Sequence, residues 1–414
     1  MAHSQNDGPG LTILGKLIMV LFIGACGFGA WWLISRDGGK GGSPESSNPG
    51  NSSGTTSEAQ EPDSKSKAEN RTTVRLAYGT EKKRWLTWAV DEFEKTPDGK
   101  KIEIELLPMG SLEGARATIA GEEHINVWSP ASSAYRNVFV DEWQLKYGGG
   151  NPIAREETLA LSPMVFVFWK ERHDAFVSHY QTVDFNTIAE ALHEPGGWGT
   201  IANKPEWGFF KFGHTNPNES NSGLLSLALM AQHFHDKTRP LTMADIVDPA
   251  FQQWLRTIEG SVSGLSNSTG NMMRDMVLKG PASFDAIFVY ENVAIDYLKN
   301  AEGRWGSLQV IYPKINLWND NPYYVIDAEW TSKEVRKAAE IFLDYLMSEP
   351  VQQQSLTHGF RPGNPSVPIK GTDSPFTMYA KYGLQIDLPA IAEPPASDAI
   401  NNLLTGWQRI RSAR

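Results

Sequence analysis

Between Thr72 and Pro130, apolar runs of two different periods alternate. Val74-Arg75-Leu76-Ala77-Tyr78 has the twofold period of a strand, while Trp85, Trp88, Ala89 and Phe93 recur at helical spacing. Ile102 to Leu107 is a second alternating strand, and Gly110-Ser111 opens a second helix, Leu112 to Ala120. Asn126 to Pro130 forms a short strand and turn, and Ser132-Ser133 precedes a further helix. A chain that returns from each strand through a helix lays its strands parallel. The order strand-helix-strand-helix-strand therefore predicts an α/β sheet whose ligands sit at the carboxyl ends of the strands. Those ends carry Thr80 and Glu81, then Ser111, then Ser129, Ser132 and Ser133. Each hydroxyl is also what an ordinary helix cap needs; three such loops together point to one convergent polar site.

A fourth loop is richer in turn chemistry. Thr215-Asn216-Pro217-Asn218-Glu219-Ser220-Asn221-Ser222-Gly223 runs into Leu224 to Ala231, an apolar run that predicts a buried helix. Ser220, Asn221 and Ser222 each suit the N-cap. A helix start offers unpaired N–H groups and the positive end of the dipole, which suits an anion or a carbonyl-rich ligand. Leu159 to Trp169 is a long apolar strand broken by Ser162-Pro163, of a length that suits a crossing between two lobes. Asn319-Asp320-Asn321-Pro322 before Tyr323-Tyr324-Val325-Ile326 reads as the return crossing. Trp207 to Phe212 is a predicted strand. Helices are predicted at Phe185–Leu192, Phe251–Ile258, Met272–Leu278 after Thr269-Gly270-Asn271, Val293–Leu298, Ser332–Met347 and Ala396–Ile410. The strand Phe284 to Asn292 ends in the polar aromatic pair Tyr290-Glu291.

The N-terminal part is built differently. Residues 17–35 contain no charge, enough to cross a bilayer as a helix, with Trp31 and Trp32 at interfacial depth. Two readings stand: an uncleaved signal anchor, which the apolar Gly27 to Ile34 favours, or a lipobox Ile23-Gly24-Ala25-Cys26 with a lipidated Cys26. Gly38 to Asn70 is Gly, Ser, Asn, Pro, Thr and Glu without apolar periodicity. It cannot bury a core, and as a disordered coil it spans on the order of 30 Å.

Composition excludes several functions. A net charge of -10 without a basic arm disfavours nucleic acid, and a single cysteine forbids an intrachain disulfide. H-E-x-x-H and the phosphate-loop motif are both missing, and Gly110 to Gly114 and Gly260 to Gly264 lack the central serine of a nucleophile elbow. His233 and His235 do not share a helix face. Glu291 has no evident nucleophile beside it, and Arg361 in its Pro-locked loop suits a structural salt bridge. The reading is polar binding without catalysis and without a cofactor.

Four motifs in order then resemble bacterial extracellular solute-binding proteins. They are Trp128-Ser129-Pro130-Ala131-Ser132-Ser133, Gly213-His214-Thr215-Asn216-Pro217 through Leu225, Val289-Tyr290-Glu291-Asn292 and Gly359-Phe360-Arg361-Pro362-Gly363-Asn364-Pro365. The resemblance covers about 72–370. It is nearest to the branch often fused to a von Willebrand factor A domain, and more distant to sulfate and molybdate binders. It implies a type-2 periplasmic-binding fold: two α/β lobes joined by two crossover strands, with the ligand between them. The expected layout is a cytoplasmic tail (1–10), a transmembrane anchor (11–35), a linker (36–71), lobe one (72–160 plus 320–414) and lobe two (161–319). The soluble part is expected outside the cytoplasmic membrane. The resemblance nominates Thr80, Ser111, Ser220, Asn221, Ser222, Gly223, Tyr290 and Glu291 for ligand binding, to which the strand-end loops add Glu81, Ser129 and Ser132. It also implies an ABC permease and ATPase as partners. The alternative is a binding-fold module serving as a scaffold in an envelope assembly.

Overall fold

Thr72–Tyr78 lies between two parallel neighbours, Ile102–Pro108 and Val127–Ser129. Pro322–Ile326 enters from far along the chain and pairs antiparallel with Val127–Ser129 on one side and Ile153–Thr158 on the other. The twofold period decides which side chains reach which face. Val74 and Leu76 pack with Trp85, Phe93 and Phe342 from helices Lys83–Phe93 and Lys333–Leu346. Ala77, Trp128 and Tyr324 turn to the opposite face with Phe139 and Trp143. These contacts come from a computed structural model that describes residues 71–412, Pro389 excepted. The expected tail and anchor, and the expected linker up to residue 70, lie outside the described residues. Among the described residues no helix is long and apolar enough to cross a membrane.

The second sheet is organised by Ala160–Trp169. Its residues Met164 to Trp169 are all buried. A strand covered on both faces reads as a continuous apolar run, which is why this segment shows no alternation. It pairs antiparallel with Ala286–Tyr290 and Leu308–Ile311, and near its start with Trp318–Asn319 and Arg361–Pro362. Phe212–Thr215 runs parallel to Ala286–Tyr290 and to Gly264–Ser266. Helix Asn221–His235 is buried from Asn221 through Gln232, as its nearly unbroken apolar sequence requires. The strand expected at Trp207–Phe212 starts instead at Phe212. Pro205 opens a 3-10 turn, Pro205–Trp207, which occupies the residues before it.

Three passages join the two lobes. Leu159 leads out of the first sheet and Asp320-Asn321 leads back, at the two places the sequence indicates. Beyond the two crossovers expected from sequence, a third passage, His358–Phe360, returns the chain to the second lobe, because Arg361–Pro362 pairs with the start of Ala160–Trp169. There Phe376, Tyr382, Leu384, Trp407 and Ile410 join the second core. The packing thus puts the chain after Arg361 with the second lobe, where the sequence reading carries 320–414 with the first. The cause is the apolar face of the last helix, Ser397–Ser412, which seats on Asn221–His235 and Pro249–Ser261.

Asparagine side chains clip the passages together. Asn316 exchanges two hydrogen bonds with the backbone of Met164, at 3.0 and 2.8 Å. Asn319 donates to the Ser162 carbonyl at 2.8 Å, and Asn321 donates to Ala160 and Asn319 carbonyls at 3.2 and 3.0 Å. The third passage is held by charge. Arg361 grips Glu291 with two 2.8 Å bonds, and Tyr312 donates to the same carboxylate. The remaining Arg361 donors reach the Ile386 and Gln385 carbonyls, both at 2.6 Å. Removing one half of such a buried pair strands the other. Arg361→Ala is expected to cost about 3–5 kcal/mol of unfolding free energy in urea titrations. The double variant Glu291→Gln, Arg361→Met should recover much of that loss.

Candidate ligand-binding site

The loops at the strand ends converge on one cavity of about 60 Å³. The first lobe supplies Gly79, Thr80 and Glu81, then Met109, Gly110 and Ser111, and Ala131. The second lobe supplies Glu219, Ser220 and Asn221, then Asn267 to Gly270, and Tyr290. Three helices begin at this cavity: Ser111–Ala120, Asn221–His235 and Thr269–Lys279. Their N-caps are Gly110, Ser220 and Ser268, and none of the three closes the helix with a side-chain bond to its first turn. Asp184, Asp248 and Ser332 do close theirs, while Lys170–Tyr180, Glu291–Ala301 and Glu349–Thr357 also start without such a bond. First-turn N–H groups are thus left open where the cavity lies, and the dipoles add partial positive charge there.

Side chains behind the wall fix these loops. Ser222 Oγ sits 2.6 Å from both Thr215 Oγ1 and Thr269 Oγ1 and 3.1 Å from Ser220 Oγ, tying two helix starts together. Gly223 permits the close approach: a Cβ there would lie 2.3 Å from the Thr215 carbonyl oxygen. Ser111 Oγ accepts from the Ala131 N–H at 3.0 Å. Asn221 Nδ2 donates to Tyr290 Oη and to Asn319 Oδ1, both at 2.9 Å, while its Oδ1 is buried without a protein partner. Burial, and then the charge of Glu81, push the Tyr290 hydroxyl well above its ordinary range.

Beneath Glu81 lies Lys82, fully buried. Its ammonium donates to Glu81 Oε1 at 2.5 Å and to the Pro130 carbonyl and Asn321 Oδ1, both at 3.0 Å. Burial lowers the lysine pKa, and the neighbouring Glu81 charge opposes that shift. The pair leaves the floor of the cavity close to neutral, so the helix starts set its polarity. Among the described residues, no three His, Cys, Asp or Glu side chains gather as a metal site.

The lobes touch around the cavity. A Cβ on Gly110 of the first lobe would lie 3.2 Å from the Glu219 carbonyl of the second. Leu224 and Ile400 of the second lobe pack among Ala77, Trp128 and Tyr324 of the first. Arg84 reaches Asp296 across the cleft at 3.4 Å.

Of the residues nominated from sequence, Thr80, Glu81, Ser111, Ser220, Asn221 and Tyr290 line the cavity. The others lie elsewhere. Ser129 is buried behind the first-lobe strand end, Ser132 caps a 3-10 turn through the Ala134 N–H, and Ser222 and Gly223 stand one layer back. Glu291 points to Arg361 and Tyr312 rather than to the cavity. The loop Asn267 to Gly270 received no role from sequence. Its strand, Gly264–Ser266, has three residues, too few to show a period, although Thr269-Gly270-Asn271 did mark a helix start.

With this geometry in hand, the comparisons identify the class. The family model of bacterial extracellular solute-binding proteins matches residues 74–361, and the chain belongs to that family. No curated protein matches the sequence. Among solved structures it is similar to the sulfate-binding protein SubI from Mycobacterium tuberculosis H37Rv, with TM-score 0.54 and 16% identity over 83% of this chain and 99% of that one. It is similar to iron-bound HitA from Pseudomonas aeruginosa, with TM-score 0.55 and 13% identity over 82% and 99%. It is also similar to maltose-bound MalE3 from T. maritima, with TM-score 0.52 and 14% identity over 82% and 100%. These likenesses establish the two-lobed periplasmic-binding fold. The family and these neighbours are binding proteins, not enzymes.

The cross-cleft pair carries a pH signature. Burial pushes the Asp296 carboxyl up to about 6, against the pull of Arg84. A carboxyl raised on folding holds protons that the unfolded chain has released, so its contribution falls as pH rises from about 4 to about 6. Asp296→Asn removes that cost. Measured against the parent, the variant should gain about 2 kcal/mol in unfolding free energy between pH 4 and pH 7.

Proposed function

We propose that this chain is a membrane-anchored extracytoplasmic receptor that closes its two lobes on a small oxyanion and delivers it to an ABC-type permease and its ATPase. The observation that carries the reading is the convergence on one small cavity of three helix starts whose N-cap side chains leave the first-turn N–H groups open. Backbone N–H groups stabilise an anion without bringing a full positive charge, so binding stays reversible. Size supports the same class. A cavity of about 60 Å³ suits a ligand of a few heavy atoms better than a disaccharide. The structural neighbour SubI is named a sulfate-binding protein, in keeping with this reading. The anchor rests on the uncharged stretch 17–35 and keeps the receptor beside its permease. Placement in the von Willebrand-fused branch rests on the sequence resemblance alone.

The test is a thermal-shift panel of oxyanions on the full chain in detergent. A true ligand at a hundred times its dissociation constant adds about 2.7 kcal/mol of stability. A shift with no oxyanion would move the assignment to a scaffold role. The donors themselves can be probed at Gly270, where an added Cβ meets nothing within 4 Å. Gly270→Ala keeps the N–H and should bind as the parent does. Gly270→Pro removes that donor in the first helical turn, where no intrahelical bond is lost, and should weaken binding by about 1–3 kcal/mol in calorimetry.

A further inference from the structure

The cavity also holds hydrogen-bond acceptors, which a bare oxyanion cannot satisfy. Asn221 is 4% exposed, and its amide orientation is fixed by a chain of bonds. Asn319 Nδ2 donates to the Ser162 carbonyl at 2.8 Å, so Asn319 turns its Oδ1 toward Asn221. Asn221 must answer with its NH₂, which also reaches Tyr290 Oη. Its Oδ1 is left buried with no partner. An acceptor left dry and unpaired is destabilising, and a ligand in the cavity that Asn221 lines can supply the missing donor.

Glu81 is the second acceptor. Its side chain is 9% exposed and lines the same cavity. Oε1 receives the Lys82 ammonium at 2.5 Å. An ionised carboxylate accepts through both oxygens and donates through neither, so Oε2 asks for a donor too. A fully deprotonated oxyanion such as sulfate presents only acceptor oxygens. Placed here, it would set lone pairs against Glu81 and against Asn221 Oδ1.

Resting on the oxyanion reading of this cavity, we propose that Glu81 and Asn221 make the site selective for a tetrahedral oxyanion that keeps a proton, such as hydrogen phosphate or hydrogen arsenate, over one that keeps none. The helix starts receive the charged oxygens, and the ligand hydroxyl donates to Glu81 Oε2 or Asn221 Oδ1. A site built to bond a hydroxyl rejects the analogue lacking it by about 10⁴-fold.

The experiment is calorimetry on the full chain in detergent, with inorganic phosphate, arsenate, sulfate, molybdate and glycine as probes. The expected result is tight binding of phosphate and arsenate, with sulfate and molybdate weaker by at least about 10³-fold. Glu81→Gln, which offers an NH₂ in place of Oε2, should lower that preference by at least tenfold, while Glu81→Asp retains the parent's order. The selectivity of the unaltered chain tests the idea even where Glu81→Gln does not fold, since Lys82 loses its charge partner there. Sulfate bound within tenfold of phosphate would overturn the selectivity and leave the oxyanion reading standing. Binding of glycine alone, or of no probe, would overturn both.

Discussion

The ammonium of Lys82 is fully buried, and a buried cation is tolerable only if acceptors surround it. Its three acceptors come from three different places: Glu81 after the first strand, Pro130 after the third, and Asn321 on the return passage between the lobes. One charge therefore fixes the position of the cavity floor relative to the hinge. The strand ends, the Glu81 carboxylate and the bend at Asn321, whose φ is 37°, are held by the same nitrogen. Asparagine tolerates that left-handed backbone better than most residues do, and here its side chain also takes the lysine bond.

Around that floor the protein forgoes local helix stability. The helices that start at the cavity lack the N-cap side-chain bonds that Asp184 and Ser332 make elsewhere, a deficit of about 1 kcal/mol at Ser220 and Ser268 and of a few tenths at Gly110, whose N–H bonds Glu113 instead. The cost is borne by burial. Asn221–His235 is nearly all core, and Ser222 is locked by hydroxyl partners on two sides. Donors held in place by packing need little reorganisation to meet a solute.

Much of this was legible in the sequence because it is local. The twofold and 3.6-residue periods gave the strand-helix order of the first lobe, and the Asn-Pro turn chemistry before Leu224 marked the helix start at Asn221. Two lobe passages followed from the Pro-broken apolar strand and the Asn-Asp-Asn-Pro break. What was not legible depends on distant pairing. Glu291 follows a strand end just as Ser111 does, and only Arg361, 70 residues away, explains its different role. Ser222 was indistinguishable from Ser220 until the fold turned one hydroxyl inward. The lobe taken by the last helix is set by apolar side chains on Pro249–Ser261, to which no period in 397–412 refers. Asn267 to Gly270 escaped because a three-residue strand carries no pattern.

The three passages between the lobes lie against one another, since Trp318–Asn319 and Arg361–Pro362 both pair with the start of Ala160–Trp169. A single tether leaves two bodies free to swivel and twist. Three tethers laid side by side forbid the twist and leave one easy motion, a swing about the line on which they sit. The cleft rims are thereby held in one register, with the helix starts of the second lobe opposite Gly110 and Thr80.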